Sequence, residues 1–217
     1  MDERTSHATH ERSFVPGLGR GVLTPFYDLV HRISGIGRLH GEMIRLADVG
    51  AGQRALDVGC GTGNLLLALG RREPGVDLTG LDPDSRALGR ATRKAHRAGV
   101  TVAWQRGFAQ ELPYPDGAFD RVFSSLMLHH LDAPGKDALL AEVRRVLRTD
   151  GLLVLADIAG HGALDGHGAL HRRMARSAMI RDNADMAGRV AAAGFDLDPA
   201  VDLRLRVGRI TILRAHP

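Results

Sequence analysis

The sequence predicts a doubly wound α/β fold: a mostly parallel seven-stranded sheet, with helices on both faces and an antiparallel hairpin at the C-terminus. Short apolar segments alternate with helical segments of about 10–15 residues, which is typical of crossover units that build a parallel sheet. The first apolar segment runs into a turn with three glycines. The last two apolar segments are joined by a short glycine-containing connection, which favours a hairpin.

The central elements follow in a regular order. Five strands are predicted at 54–58, 76–82, 100–106, 119–125 and 151–158, separated by helices at about 63–72, 84–98 and 134–148. A helical region follows the fifth strand and ends at Gly194. Residues 195–206 and 207–216 are then expected to form two strands that pair at one edge of the sheet.

The N-terminal segment differs from this pattern. Residues 1–19 are charged and polar with no apolar core behind them, so we expect a disordered tail and no secretory signal. Apolar residues at helical spacing in 23–50 predict two short helices, broken near Gly35 and Gly37 and stopped at Gly50.

Composition limits the classes of function. The chain has 217 residues, 44% of them hydrophobic and 25% charged, as in a one-domain globular protein. No apolar run reaches the roughly 18 residues of a transmembrane segment. A single cysteine, Cys60, excludes an internal disulfide, fits a cytoplasmic location, and leaves no predicted metal site. The net charge of +4 comes from arginines spread among acids, so we expect no nucleic-acid surface.

The glycine turn in "RALDVGCGTGNLLLAL" (54–69) would bring the backbone close to a ligand. A nucleoside triphosphate loop needs Lys followed by Ser or Thr at the helix start, and this turn continues with Asn64 instead. A dinucleotide fingerprint needs G-x-G-x-x-G. The glycines here, Gly59, Gly61 and Gly63, form G-x-G-x-G, which disfavours a nicotinamide dehydrogenase.

The stretch "LDVGCGTGN" resembles the opening motif of the class I S-adenosylmethionine-dependent methyltransferases, in which an acid precedes G-x-G-x-G. The stretch "LPYPDGAFDRVFSSLMLHHL" (112–131) resembles the type 11 small-molecule branch, which includes the ubiquinone/menaquinone C-methyltransferases. The resemblance covers about 23–158. It implies a Rossmann-like methyltransferase fold, with S-adenosyl-L-methionine as cofactor and S-adenosyl-L-homocysteine as product.

The glycine turn would hold the methionine end of this cofactor. We expect Gly59, Gly61 and Gly63 to let the chain pass under the ligand without a Cβ in the way. The helix that follows offers free N–H groups to the methionine carboxylate. Asp57 can tie down the loop amides or meet the ligand's ammonium group. Three more residues are predicted to contact the cofactor: Cys60, Asn64 and Ser124.

The adenosine end would lie at the second and third strands. Asp82 ends the second strand and is predicted to bind the ribose hydroxyls, with Pro83 beside it. The alternative is a helix cap, a role that suits Asp84 better. Phe108 stands where the family often has the Asp that accepts from the adenine amino group. Phe108 is expected either to stack on the purine or to fill the core, and the N–H of Ala109 to serve a ring nitrogen.

Methyl transfer from a sulfonium depends mainly on alignment, and a base is needed only when the acceptor is a phenol, an enol or a protonated amine. Histidine suits that role near neutral pH. The candidates are His130, His161 and His171. "LHHL" is common in the family, so His129 and His130 can instead be structural, and the later histidines can lie in a solvated loop.

The predicted organisation is one methyltransferase domain over residues 20–217. Residues 20–50 would form an N-terminal helical lid, in which Tyr27 either covers the methionine end of the cofactor or packs in the core. Residues 51–158 would form the cofactor-binding core. Residues 159–217 would supply the acceptor-pocket helices and the closing hairpin.

The predicted function is methyl transfer to a small molecule: a quinone precursor, a phenolic or amine metabolite, or a lipid headgroup. The Pro-Pro-aromatic motif of adenine and cytosine amino-methyltransferases is absent after the fourth strand, and Cys60 is misplaced for a cytosine C5-methyltransferase. Two alternatives stay open: a cofactor-sensing or inactive binding module of the same fold, and an RNA methyltransferase. The sequence leaves open whether the chain is a monomer or a homodimer.

Overall fold

The computed structural model of the chain describes residues 35–158, 185–206 and 208–217. In these residues one mixed sheet carries helices on both faces. Its strands are β1 (Arg54–Val58), β2 (Asp77–Asp82), β3 (Ala103–Arg106), β4 (Phe119–Ser125), β5 (Leu147–Ile158), β6 (Asp196–Leu197), β7 (Val201–Leu205) and β8 (Gly208–His216). Strands β1 to β5 are parallel, and β8 is antiparallel to β5. The predicted doubly wound fold is confirmed.

The strand order across the sheet is β3-β2-β1-β4-β5-β8-β6, with β7 also paired to β8. Leu197 of β6 pairs with Ala215, and Val201 of β7 pairs with Ile212, both on the side of β8 away from β5. β6 and β7 therefore together occupy the edge position for which the sequence predicted one strand, the seventh of the sheet. Pro199 lies between the pieces and has no N–H to donate to the ladder.

Five α-helices are present among the described residues: α1 (Ile36–Ala47), α2 (Asn64–Arg72), α3 (Ser85–Ala98), α4 (Ala133–Val146) and α5 (Met186–Ala192). A 3₁₀ turn, Leu128–His130, follows β4. Asp84 caps α3, as predicted, by accepting from the N–H of Arg86. None of the helices in the described ranges has the length and apolar character needed to cross a membrane.

The end of α1 differs from the prediction. The helix stops at Ala47 and not at Gly50, because Asp48 adopts a left-handed conformation with φ of 45°. Arg121 of β4 then donates hydrogen bonds to the carbonyls of Ala47 and Asp48, at 2.7 and 3.3 Å. A side chain distant in sequence therefore satisfies the carbonyls that the helix end exposes.

Two predicted strand starts also differ. β3 begins at Ala103 and not at residue 100, because the N–H of Val100 bonds the carbonyl of Ala95 and closes the end of α3. β5 begins at Leu147 and not at residue 151. Leu147 pairs with Phe119 ahead of a register shift in the β4–β5 ladder, so the strand starts directly after α4.

The core has two layers. The first layer lies between the sheet and α1, α2 and α3, and the second lies between the sheet and α4 and α5. Ala55 of β1 and Phe123 of β4 belong to the first layer. Because side chains alternate along a strand, Asp57 and Ser125, each two residues further on, face the same side at the carboxyl edge of the sheet.

Candidate active site

A pocket opens at the carboxyl ends of β1 and β4, where the glycine turn leaves the sheet. The connections from β1 and β4 run in opposite directions at this point, which is where doubly wound sheets bind ligands. Residues of β1, the turn and α2 form one wall: Asp57, Gly59, Cys60, Gly61, Thr62, Asn64 and Leu65. Residues of α1 and the end of β4 complete the pocket: Ile36, His40, Ser125 and Leu126.

The three glycines of the turn have left-handed backbone conformations, with φ of 76° at Gly59, 53° at Gly61 and 74° at Gly63. A Cβ at Gly59 would collide with the Met127 side chain, and one at Gly63 would lie 2.5 Å from the Trp104 ring. A Cβ at Gly61 would meet nothing within 4 Å. We expected all three to clear space for the ligand; instead, Gly59 and Gly63 allow close packing within the protein.

Backbone hydrogen bonds fix the turn to the end of β2. The N–H groups of Gly59 and Cys60 both donate to the carbonyl of Leu81, at 2.8 and 3.0 Å. The N–H of Gly61 donates to Oδ2 of Asp82 at 2.8 Å. Asp57 was predicted either to bind the loop amides or to meet the ammonium group of the ligand. The structure shows that Asp82, and not Asp57, accepts from the N–H of Gly61.

Asp57 is a buried carboxyl group at the base of the pocket. Only 2% of the residue is exposed, and Oδ1 has no hydrogen-bond partner among the described residues. Burial, and secondarily the negative charge of Asp82, raises the pKa of Asp57 to about 8. A buried acceptor without a donor is costly, and a cationic ligand group would relieve that cost.

The predicted adenosine-binding residues lie at the ends of β2 and β3. Asp82 accepts from Gly61 with one oxygen and from the N–H of Asp84 with the other, at 2.9 Å. Burial raises its pKa, and these two backbone N–H groups oppose the increase. Phe108 is the most exposed large hydrophobic side chain described, at 37%. That exposure argues against its core-filling role and leaves the ring accessible, whereas Ala109 is buried.

Lys94 of α3 braces the start of α2, a contact that was not predicted from the sequence. Its Nζ donates to Oγ1 of Thr62 at 3.2 Å and to Oδ1 of Asn64. Thr62 and Asn64 both line the pocket. Asn64, predicted as a cofactor contact, is thus also part of a brace. The chain has only one other lysine, so a lysine on this arginine-rich helix was a signal in the sequence that could have pointed to a specific role for Lys94.

Neighbouring serines of β4 face opposite layers. Ser124, predicted to contact the cofactor, is buried away from the pocket, and its Oγ has no partner within the described part of the chain. Ser125 lines the pocket instead, and its Oγ lies 3.3 Å from Nε2 of His40 on α1. Neither Ser125 nor His40 was predicted.

Cys60 is buried within the turn, and its sulfur would contact a Cβ placed on Gly80. Burial raises the pKa of its thiol, as do the charges of Asp57 and Asp82. The residue lines the pocket as a neutral thiol and is not suited to act as a thiolate nucleophile.

Residues 55–151, which contain the turn, Asp57 and Asp82, match the family of methyltransferase domains. Methyltransferases with sequence similarity align over longer stretches of the chain, such as 138 and 122 residues. Residues 55–151 thus form a methyltransferase domain.

Two proteins with sequence similarity to this chain illustrate the range of its relatives. A demethylmenaquinone methyltransferase of Thermus thermophilus is 36% identical over 138 residues, covering 62% of this chain and 62% of that protein. The 27-O-demethylrifamycin SV methyltransferase of Amycolatopsis mediterranei is 34% identical over 122 residues, covering 55% and 44%. The chain thus spans less than two thirds of these relatives' length.

Solved structures share the fold of this chain at low sequence identity. An S-adenosylmethionine-dependent methyltransferase from Aquifex aeolicus superposes with a TM-score of 0.67 at 18% identity, covering 90% of this chain and 98% of that one. The [4+2]-cyclase SpnF superposes with a TM-score of 0.68 at 22% identity, covering 83% and 80%. Their similarity concerns the fold alone.

A histidine–aspartate pair lies at the carboxyl edge next to the pocket. Nδ1 of His129 is 2.7 Å from Oδ1 of Asp157, a fully buried residue at the end of β5. Asp157 also accepts from the N–H groups of His129 and Ile158. The carboxylate therefore fixes the orientation of the imidazole and directs its Nε2 away from the pair.

His130, the predicted base, stacks obliquely on His129, with ring centroids 4.1 Å apart. Desolvation, followed by the neighbouring His129, lowers the pKa of His130 to about 4. His130 therefore stays neutral near pH 7. Tyr27, His161 and His171, the remaining predicted site residues, lie outside the described residues.

Proposed function

We propose that the protein transfers a methyl group from S-adenosylmethionine to a small-molecule acceptor. The observation that carries this proposal is the buried Asp57 carboxyl beneath the glycine turn, whose Oδ1 has no hydrogen-bond partner within the described ranges. An α-ammonium group of the cofactor would supply the missing donor. When bound, the sulfonium of the cofactor provides the methyl group for an in-line displacement.

The residues present fit this cofactor. Gly61 has open space where a Cβ would be, so the backbone can approach a ligand there. Each oxygen of the Asp82 carboxylate accepts one backbone N–H and has a second acceptor site left for a ribose hydroxyl. Phe108 comes directly after Gly107, whose N–H binds the carbonyl of Asp82, so the accessible ring belongs to the segment next to this acid. We propose that Phe108 stacks on the purine.

His129 is the base that the geometry supports best. Asp157 holds its Nδ1–H, so Nε2 carries a lone pair that can accept a proton from the acceptor. The buried carboxylate also stabilises the imidazolium that forms. His130, neutral beside it, would add an uncharged hydrogen-bonding group. This arrangement suits an acceptor that loses a proton, and among the predicted classes it favours a phenolic hydroxyl.

The first experiment is a calorimetric titration with S-adenosylmethionine and S-adenosylhomocysteine. We expect micromolar binding, weakened about tenfold or more in Asp82→Ala, which corresponds to about 1.4 kcal/mol. Asp116→Ala, which removes an exposed acid outside the pocket, is the control and should bind like the native protein. Absence of binding by the folded native protein would favour the binding-module alternative.

Turnover with a panel of phenols, quinone precursors, amines and lipid headgroups then tests the acceptor. We expect activity on phenols that changes little with salt. Methylation of RNA, with binding that collapses as salt rises, would instead support the RNA methyltransferase alternative, because phosphate contacts release counterions.

A further inference from the structure

Three polar side chains from separate elements meet in the pocket. Asp57 comes from β1, Ser125 from the end of β4 and His40 from α1. Nε2 of His40 and Oγ of Ser125 are 3.3 Å apart. Asp57 has a carboxylate oxygen without a partner among the described residues. The pocket therefore combines an acid that requires a donor with a separate hydroxyl–imidazole pair that can donate.

The backbone of the glycine turn offers few donors to an anion. The N–H groups of Gly59, Cys60, Gly61 and Gly63 all bond to acceptors within the protein. Donors already used in the turn cannot bind a ligand unless those bonds break. An anionic ligand group in this pocket therefore needs the first N–H groups of α2, which has no side-chain cap, and side chains of the opposite elements.

We propose that Ser125 and His40 form the binding site for the α-carboxylate of the cofactor, while Asp57 holds its α-ammonium group. The inference rests on the proposed function, because it assigns residues to one end of that cofactor. Ser125 donates its hydroxyl hydrogen to a carboxylate oxygen. His40 donates Nε2–H to Oγ of Ser125 and so directs that hydroxyl; it is a positioning residue.

The location of the pocket supports the assignment to the amino-acid end. Asp82 and Phe108, proposed for the ribose and purine, do not line this pocket. An α-amino acid carries one positive and one negative group, and the pocket presents one acid and one donor pair. Asp57 and His40 are buried and Ser125 is partly buried, so both matches are stronger than they would be in water.

The test uses two ligands that differ only in the carboxylate: S-adenosylhomocysteine and its decarboxylated analogue, which keeps the ammonium group. We expect the native protein to prefer S-adenosylhomocysteine by at least about tenfold, as a charge-assisted hydrogen bond implies. Ser125→Ala should weaken S-adenosylhomocysteine binding by about tenfold and leave the analogue within about twofold. Ser124→Ala makes the same change on the other face of β4 and should alter neither Kd.

The His40 variants separate positioning from structure. His40→Leu removes the donor and should reduce the preference between the two ligands as Ser125→Ala does. His40→Gln keeps an N–H donor and should restore part of that preference. The Tm of each variant is measured alongside, because a purely structural role would lower the Tm and weaken both ligands together.

Equal losses for both ligands in Ser125→Ala and His40→Leu, or no loss for either, would overturn the carboxylate assignment and leave the proposed function standing. Binding of neither ligand by the native protein would instead remove the proposed function itself. A lost preference in the two variants, with the analogue unaffected, supports the assignment.

Discussion

Asp57 should make cofactor binding dependent on pH. Its carboxyl is buried without a partner for Oδ1 among the described residues, and its pKa is raised to about 8. The free protein therefore holds this proton at neutral pH, whereas an ammonium ligand binds the ionised form. Binding must release the proton, so affinity should increase as the pH rises towards 8.

The size of the pH effect on the Kd follows from the pKa of Asp57. With a value of about 8, roughly one tenth of the carboxyl is ionised at pH 7 and about one hundredth at pH 6. The Kd for S-adenosylhomocysteine should thus fall about tenfold from pH 6 to pH 7. Calorimetry at pH 7 in buffers of different ionisation enthalpy should detect the release of nearly one proton.

Asp57→Asn should bind weakly and without this pH dependence. Asp77→Asn, which neutralises an exposed acid at the opposite end of β2, is the matched control and should keep the native profile. A native Kd that stays constant between pH 6 and pH 8, without proton release, would refute the assignment of Asp57 to the ammonium group.

The same residue affects the stability of the free protein. Its folded pKa of about 8 lies above the ordinary value of 3.8, so the folded state binds the proton more tightly than the unfolded chain does. The stabilisation that this tighter proton binding gives the folded state is complete below about pH 4 and is lost as the pH rises through about 8. Asp57→Asn should therefore raise the Tm of the free protein, and most strongly above pH 8.

Further predictions concern the turn and the base. Lys94→Met should remove the brace of α2, lower stability by about 1 kcal/mol, which is about 2–4 °C in Tm, and weaken cofactor binding. Gly61→Ala should cost about 1–2 kcal/mol through its backbone conformation alone. Gly63→Ala should cost more, because its Cβ also meets Trp104, and chemical denaturation compares the two. His129→Asn should lower kcat by about 10²–10⁴ and leave the cofactor Kd unchanged.

The fold was largely predictable because its signals are local. Strand and helix periods, the cap at Asp84 and the glycine turn are each encoded by neighbouring residues. The errors occur where distant residues decide. Arg121 of β4 supports the end of α1, and the β4–β5 register sets the start of the fifth strand. A pattern of neighbouring residues does not predict contacts between residues that are far apart in the sequence.

The cofactor motif was likewise local, but the roles of its residues were not. Sequence spacing identified the turn, Asp57 and Asp82 as a unit. The structure assigned the loop amide to Asp82 and left Asp57 Oδ1 without a partner within the described ranges. The two acids lie at the ends of neighbouring strands, and their different roles depend on which carboxylate oxygen accepts from which N–H group.

The sequence by itself determined the fold class, the glycine motif and the edge of the sheet where we expect a ligand, because these follow from period, spacing and strand polarity. The tertiary structure decided which side chains share the pocket. Alternation along β4 puts Ser125 there and not Ser124, and the packing of α1 brings His40 to it. Likewise, only the adjacency of the strand ends joins His129 to Asp157. Contacts between residues far apart in the chain arise from packing, which no short stretch of sequence specifies.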